Sequence, residues 1–279
     1  MTPLPTGAAG KMHSISTAWK RLWTLLLLVF LCGCATSGTQ TTGELAYPSP
    51  LGALSRIERR AADDCILKTV ASVEILTLRE RTVMKAVLLA GKPDSLRIES
   101  LPIIGPPDFL LSVYRNTLKV HYPLQRKIHI GPSTDQNLLR FLPVPIPISD
   151  FVRILMGIRP EIKGQQVLLK AFPEGDLYRI HVLAGGQLRQ TLWIDPRQDR
   201  LRRVEVFGAL DDTLYTADFD RFPNFRSGTI PERIALTVNA YGGVKISIRY
   251  HEPELTTEPP TSDLFDIGSP EGADIVPME

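Results

Sequence analysis

Between Leu67 and Tyr250 the chain keeps returning to one rhythm, with apolar residues at every second position and turn residues between the runs. Successive side chains of a strand point to opposite faces, so this period marks strands with one buried and one wet face. Ile234, Leu236 and Val238 follow it, and so do Val244, Ile246, Ile248 and Tyr250. In the first half, Val73 and Ile75 alternate with Glu74, and further runs fall at 83–89, 96–99, 109–114, 118–122 and 127–130. After Pro160 they fall at 166–172, 177–183, 188–194, 201–207, 213–219, 233–240 and 244–250. Asn116, Gly185-Gly186, Asp195-Pro196, Asp211-Asp212 and Gly242-Gly243 mark the turns. Short turns between alternating runs mean antiparallel neighbours. A meander of this length buries too much common surface to stay flat, and it must curl or close.

Three segments break the rhythm. Ser49-Pro50 opens a helix carrying Leu51, Leu54, Ile57 and Ala61 on one stripe. Ser133 or Asp135 can cap a second helix with Leu138, Leu139, Phe141 and Leu142. After the extended stretch Pro143-Val-Pro-Ile-Pro147, Ser149 or Asp150 can cap a third. Its Phe151, Val152, Leu155 and Met156 share a face, and Gly157 supplies the stop. These three can cover the concave side of the sheet, which predicts a mainly β, α+β chain with a helical lid or plug. No composition break separates the strand groups, so residues 50–252 read as one domain. Residues 253–279 read as a Pro- and acid-rich tail with one small apolar element at Leu264-Phe265.

Ahead of the domain lies an export signal. Lys20 and Arg21 precede an apolar run from Leu22 to Leu31, with no Asp or Glu before Cys34. That run is ten residues long, whereas a membrane span needs about 20. Leu31-Cys32-Gly33-Cys34 resembles a bacterial lipobox. The expectation is cleavage after residue 33, with palmitate-type acyl chains on the sulfur and new amino group of Cys34. Residues 34–49 are then a lipidated cysteine and a flexible tether, since their small polar side chains build no core. Ala35, rather than Asp, follows the cysteine. In a cell with two membranes this points to an outer-membrane anchor facing the periplasm.

Losing Lys11, Lys20 and Arg21 takes Lys+Arg from 32 to 29 against 30 acidic residues, so the apparent basicity belongs to the leader. Without a basic block or interleaved aromatics, nucleic acid is not an expected partner. Cys65 is the third cysteine, after one cleaved and one acylated, and has no partner for an internal disulfide. His121, His129, His181 and His251 sit in or beside strands at no metal-ligand spacing. No His-Glu-x-x-His, Gly-x-Ser-x-Gly or phosphate-binding glycine loop occurs. No catalytic residue, metal site or cofactor is expected.

One block is more specific. Leu101-Pro-Ile-Ile-Gly105, residues 118–123, Leu138-Leu-Arg-Phe-Leu142, Pro145-Ile-Pro-Ile-Ser-Asp150 and Ile154-Leu-Met-Gly157 follow one another in order. In that order and composition the chain resembles the LolA/LolB lipoprotein-carrier superfamily, and LolB in particular, itself a lipoprotein. The resemblance covers roughly residues 50–250 in element order. It implies a curved, unclosed antiparallel β-barrel of about 11 strands, with a helical lid and a cavity for acyl chains. Leu138, Phe141, Leu142, Phe151, Leu155 and Met156 would line the cavity or lid. Ile103 and Ile104 would form a membrane-insertion loop, stiffened here by Pro106-Pro107. The implied partners are membrane lipid through acylated Cys34, acylated lipoprotein or lipid cargo, and a LolA-like carrier.

An inward apolar row such as Ile234, Leu236 and Val238 can line a cavity or fill a core. Two functions therefore stand side by side. One is receipt or insertion of acylated cargo; the other is a non-transferring, structural or accessory lipoprotein of an envelope complex.

Overall fold

The computed structural model describes residues 49–59, 65–223, 230–239 and 242–279. Cys34 and its tether lie outside them, as do Ala61 and Ala240. No helix of the described residues is long and apolar enough to cross a membrane.

Each alternating run becomes a strand. The first half meanders through β1 (Cys65–Leu76), β2 (Arg81–Gly91), β3 (Ser95–Ser100), β4 (Leu110–Tyr114), β5 (Thr117–Tyr122) and β6 (Lys127–Pro132). The second half runs through β7 (Val167–Glu174), β8 (Leu177–Ala184), β9 (Gln187–Asp195), β10 (Arg200–Phe207), β11 (Thr213–Asp220), β12 (Arg233–Val238) and β13 (Val244–Thr257). A last short strand, β14, covers Asp274–Pro277. All join in one 14-stranded sheet, ordered β14-β6-β5-β4-β3-β2-β1-β13-β12-β11-β10-β9-β8-β7. Its two ends, β14 and β7, do not pair, so the barrel stays open.

The halves meet where β1 pairs with β13, from Cys65 opposite Thr257 to Leu76 opposite Lys245. One apolar cluster fills the inner face, drawing Leu67, Leu88, Leu96, Leu111 and Val120 from one half and Ile180, Leu192, Val204, Leu236 and Ile248 from the other. Burial alternates along the strands as the sequence rhythm requires, most cleanly in β13.

Among the described residues four α-helices accompany the sheet: α1 (Pro50–Arg59), α2 (Asp135–Leu139), α3 (Ile148–Leu155) and α4 (Ser262–Phe265). In α1, Ala53, Leu54 and Ile57 are buried while Leu51 is exposed, so the predicted stripe begins one turn later. Arg56 ties the helix to Asp199 in the β9–β10 turn through two hydrogen bonds of 2.8 and 2.7 Å. The α2 cap is Thr134, neither Ser133 nor Asp135; its hydroxyl accepts from the Asn137 N–H. At α3 the N-cap position is Pro147 and no side chain caps it, which releases Asp150 for a tertiary contact. Gly157 ends α3 as expected, at φ 72°, with its N–H bonded to the Ile154 carbonyl.

The segment 253–279 departs most from expectation, because it belongs to the fold and is no tail. β13 continues to Thr257 beside β1. The chain then crosses the outer face of the first meander. Phe265 is fully buried there, outside the inner cluster, stacked on Tyr114 with 6.2 Å between ring centroids. Arg97 donates to the Leu264 carbonyl at 2.9 Å, and Lys119 pairs with Asp266 at 2.7 Å. Gly91 makes the close approach possible: a Cβ there would lie 2.8 Å from the Pro260 ring and 3.2 Å from Phe265. The chain ends by adding β14 parallel to β6, with Ile275 opposite Ile128. This strap accounts for the extra edge strand beyond the expected array.

Candidate functional site

The inner face and what covers it form the candidate site. α2, the proline stretch and α3 connect the two meanders, so the topology places them against the sheet's concave apolar surface. Alternate prolines keep 143–147 extended, and Val144 and Ile146 between them turn inward and are buried. α3 packs on β2 and β3. Leu138, Leu142, Phe151, Leu155 and Met156 all belong to the inner cluster, with Phe141 packed against it. The six predicted lid or cavity residues are thus brought together.

α3 is closely packed on that surface. Val152, Ile154 and Leu155 keep no accessible surface. A side chain bordering a void large enough for water would retain some, so no such void adjoins these three. The pocket beside α3, about 380 Å3, is of another kind: Lys92, Ser149, Arg153, Glu161 and Lys163 line it. Pro93 and Pro260 complete its lining, so charged groups and apolar rings share it.

Two tyrosines missed as site residues hold α3 to the sheet. The Tyr215 hydroxyl, on β11, donates to Asp150 Oδ2 at 2.7 Å. The Tyr250 hydroxyl, on β13, donates to the Leu155 carbonyl at 2.8 Å. In sequence both sat within apolar rows, and only the phenolic oxygen at a buried position hinted at a partner. Beyond α3, Arg159 pairs with Glu58 of α1 at 3.0 Å, while Arg153 donates to the Arg159 carbonyl at 2.6 Å. Burial holds the Arg159 guanidinium below its usual pKa, against the pull of Glu58.

Burial raises the Asp150 carboxyl above its usual range; the Tyr215 hydrogen bond pulls the other way without cancelling it. Burial, then the neighbouring Asp150 charge, raises Tyr215 as well. A carboxyl whose folded pKa exceeds its unfolded value, about 3.9, favours the fold most fully below that value. The contribution is lost as pH rises through the folded pKa. Unfolding titrations between pH 4 and 7 should show this decline, and Asp150→Asn should remove it.

The β3–β4 loop lies at the rim. Ile103 is 102% exposed and Ile104 89%, beside Gly105 at φ 98°. Ser100 anchors the loop's far end, its hydroxyl accepting from the N–H groups of Asp108 and Phe109. Both isoleucines stand out into water. Cys65 is buried. His129 packs against Phe141 and Tyr122.

No protein-family model matches the chain, and no curated protein matches it. Solved structures do. A LolA superfamily protein from Nitrosomonas europaea aligns at TM-score 0.50 and 13% identity, over 76% of this chain and 96% of its own. A domain described as an outer membrane lipoprotein-sorting protein, from Vibrio parahaemolyticus, aligns at 0.51 and 11%, over 76% and 94%. The chain has the LolA-superfamily fold. A DUF1329 family protein from Desulfovibrio piger aligns similarly, at 0.50 and 12% identity, over 78% and 92%. Within this LolA-like fold, the open sheet and the helical cover over its inner face are the features expected from the central sequence block.

Proposed function

We propose that this protein is an outer-membrane lipoprotein, anchored through acylated Cys34 and facing the periplasm, that binds acyl chains of lipid or lipoprotein cargo under α3. The single supporting observation is the seating of α3. An amphipathic helix of eight residues lies across the open sheet's apolar face, on a segment that the sheet itself does not need for strand pairing. Acyl chain can take the place of its apolar side, gaining about 0.8 kcal/mol per buried methylene. Because α3 is closely packed on that face, cargo and helix compete for one surface. Ile103 and Ile104 would enter the membrane at transfer, and a LolA-like carrier would deliver the cargo. No cofactor or catalytic group takes part in such a handover.

The close packing of α3 favours a second reading, a non-transferring accessory lipoprotein of an envelope complex that uses the same sheet as a brace. One measurement separates the two. Native mass spectrometry of the full chain carrying Cys34→Ala, which removes the covalent lipid, should detect non-covalently held acylated lipid that added long-chain fatty acid displaces. A chain free of lipid that also fails to take up the fatty acid rejects the carrier reading and leaves the brace.

A further inference from the structure

Large apolar side chains at the ends of this sheet are distributed unequally. Among the described residues, those exposed by 70% or more are Leu78 80%, Ile103 102%, Ile104 89%, Leu124 71% and Leu210 90%. Strand registers place all five at the same end. Leu76 faces Arg81 across the β1–β2 turn, the Leu101 N–H bonds the Lys85 carbonyl just above it, and Tyr122 faces Lys127 across the β5–β6 turn. Leu210 sits in the β10–β11 turn, which leaves the sheet at that end too. The opposite end carries Lys92-Pro93-Asp94, Arg115-Asn116, Gly175-Asp176 and the 196–199 turn, all polar or turn-forming.

We propose that the β1–β2, β3–β4 and β5–β6 turns together form a face that lies against a lipid bilayer, with Leu78, Ile103, Ile104 and Leu124 entering its interfacial layer. The three turns join six successive strands of the sheet, so at about 4.8 Å per strand the tips spread over roughly 20 Å. Charge fits the same occupant. In these turns Arg79, Arg81, Arg126 and Lys127 are exposed against two exposed acidic residues, Glu80 and Asp108. An apolar tip with basic neighbours matches an anionic membrane surface. Isolated tips, separated by polar backbone, suit a fluid that closes around each one better than a protein partner needing a continuous complementary patch.

The assignment rests on the membrane-anchored reading above, which alone does not choose an end. Fifteen residue steps separate Cys34 from Ser49; fully extended they reach about 50 Å. The 11 residues of β2 span only about 37 Å. Either end of the sheet is within reach of the bilayer, and the apolar tips choose between them.

The test uses the mature lipidated chain in vesicles of phosphatidylethanolamine and phosphatidylglycerol. Cys65 is buried and Cys34 acylated, so an environment-sensitive nitrobenzoxadiazole label can be placed singly by Leu78→Cys, Ile104→Cys, Leu124→Cys or, at the opposite end, Asn116→Cys. The expected result is a blue shift with quenching by acyl-brominated lipid at 78, 104 and 124, and neither at 116. Lipid quenching at 104 with water-like emission at 78 and 124 overturns the three-turn face and leaves a single insertion loop. Water-like emission at all three overturns both. A blue shift without lipid quenching marks cover by protein, such as a second copy, and overturns the lipid assignment.

Discussion

Replacing Phe265 by alanine lowers stability by about 3–5 kcal/mol, the usual cost of removing a buried aromatic ring. Such an effect is unexpected for a residue 14 positions from the last one, in a segment whose composition reads as a tail. Phe265 keeps no accessible surface and stacks on Tyr114 at a 10° interplanar angle. Its carbonyl accepts from the buried Ser112 hydroxyl. With the ring gone, only the Pro260 ring remains over Gly91, and the strap loses its largest buried side chain. For a domain of this size, 1 kcal/mol corresponds to roughly 2–4 °C in Tm, so a fall of about 10 °C is expected. Denaturant unfolding of wild type and variant measures it. A difference below about 1 kcal/mol would mean that the strap is undocked in solution and that residues after Thr257 behave as the tail their composition describes.

Converting both Tyr215 and Tyr250 to phenylalanine moves two observables in opposite directions. Each loses one hydroxyl and leaves a buried acceptor, Asp150 Oδ2 or the Leu155 carbonyl, without its donor. Each loss costs about 1–3 kcal/mol, so the seated state of α3 weakens by at least about 2 kcal/mol. Stability therefore falls. If acyl chains bind only when α3 has lifted, the fraction of competent protein rises by the same free energy. Affinity for a fluorescent long-chain fatty acid then improves by roughly 30-fold. A filled core with no lid function predicts the first change alone. Lower stability with unchanged or weaker binding would remove α3 from the carrier mechanism.

Strands were legible where one face is wet. Ile234, Leu236 and Val238 alternate with exposed or half-exposed neighbours, and the structure buries those three. The cover over the inner face was legible for a related reason, since Phe151 and Leu155 repeat at helical spacing. What covers the outer face was not. Ser112, Arg97 and Lys119 occupy positions that alternation assigns to water, and their partners lie about 150 residues away. A polar residue meeting a strap looks the same in sequence as one meeting solvent. The close packing of α3 on the sheet was illegible too, because an inward leucine has the same period whether it faces a void or a helix. Leu78 and Leu124 went unnoticed because isolated apolar residues in turns are common; only the registers show that they share an end with Ile103 and Ile104.

The pairing of β1 with β13 joins the paired strands that lie furthest apart in sequence among the described residues. Cys65 lies opposite Thr257, so the first strand of the domain cannot complete its ladder until the thirteenth has been made. Until then β1 offers an unpaired edge to any extended chain nearby. Contacts of such long sequence separation place this domain among slow folders. The two half-sheets are joined in the sheet by that single seam.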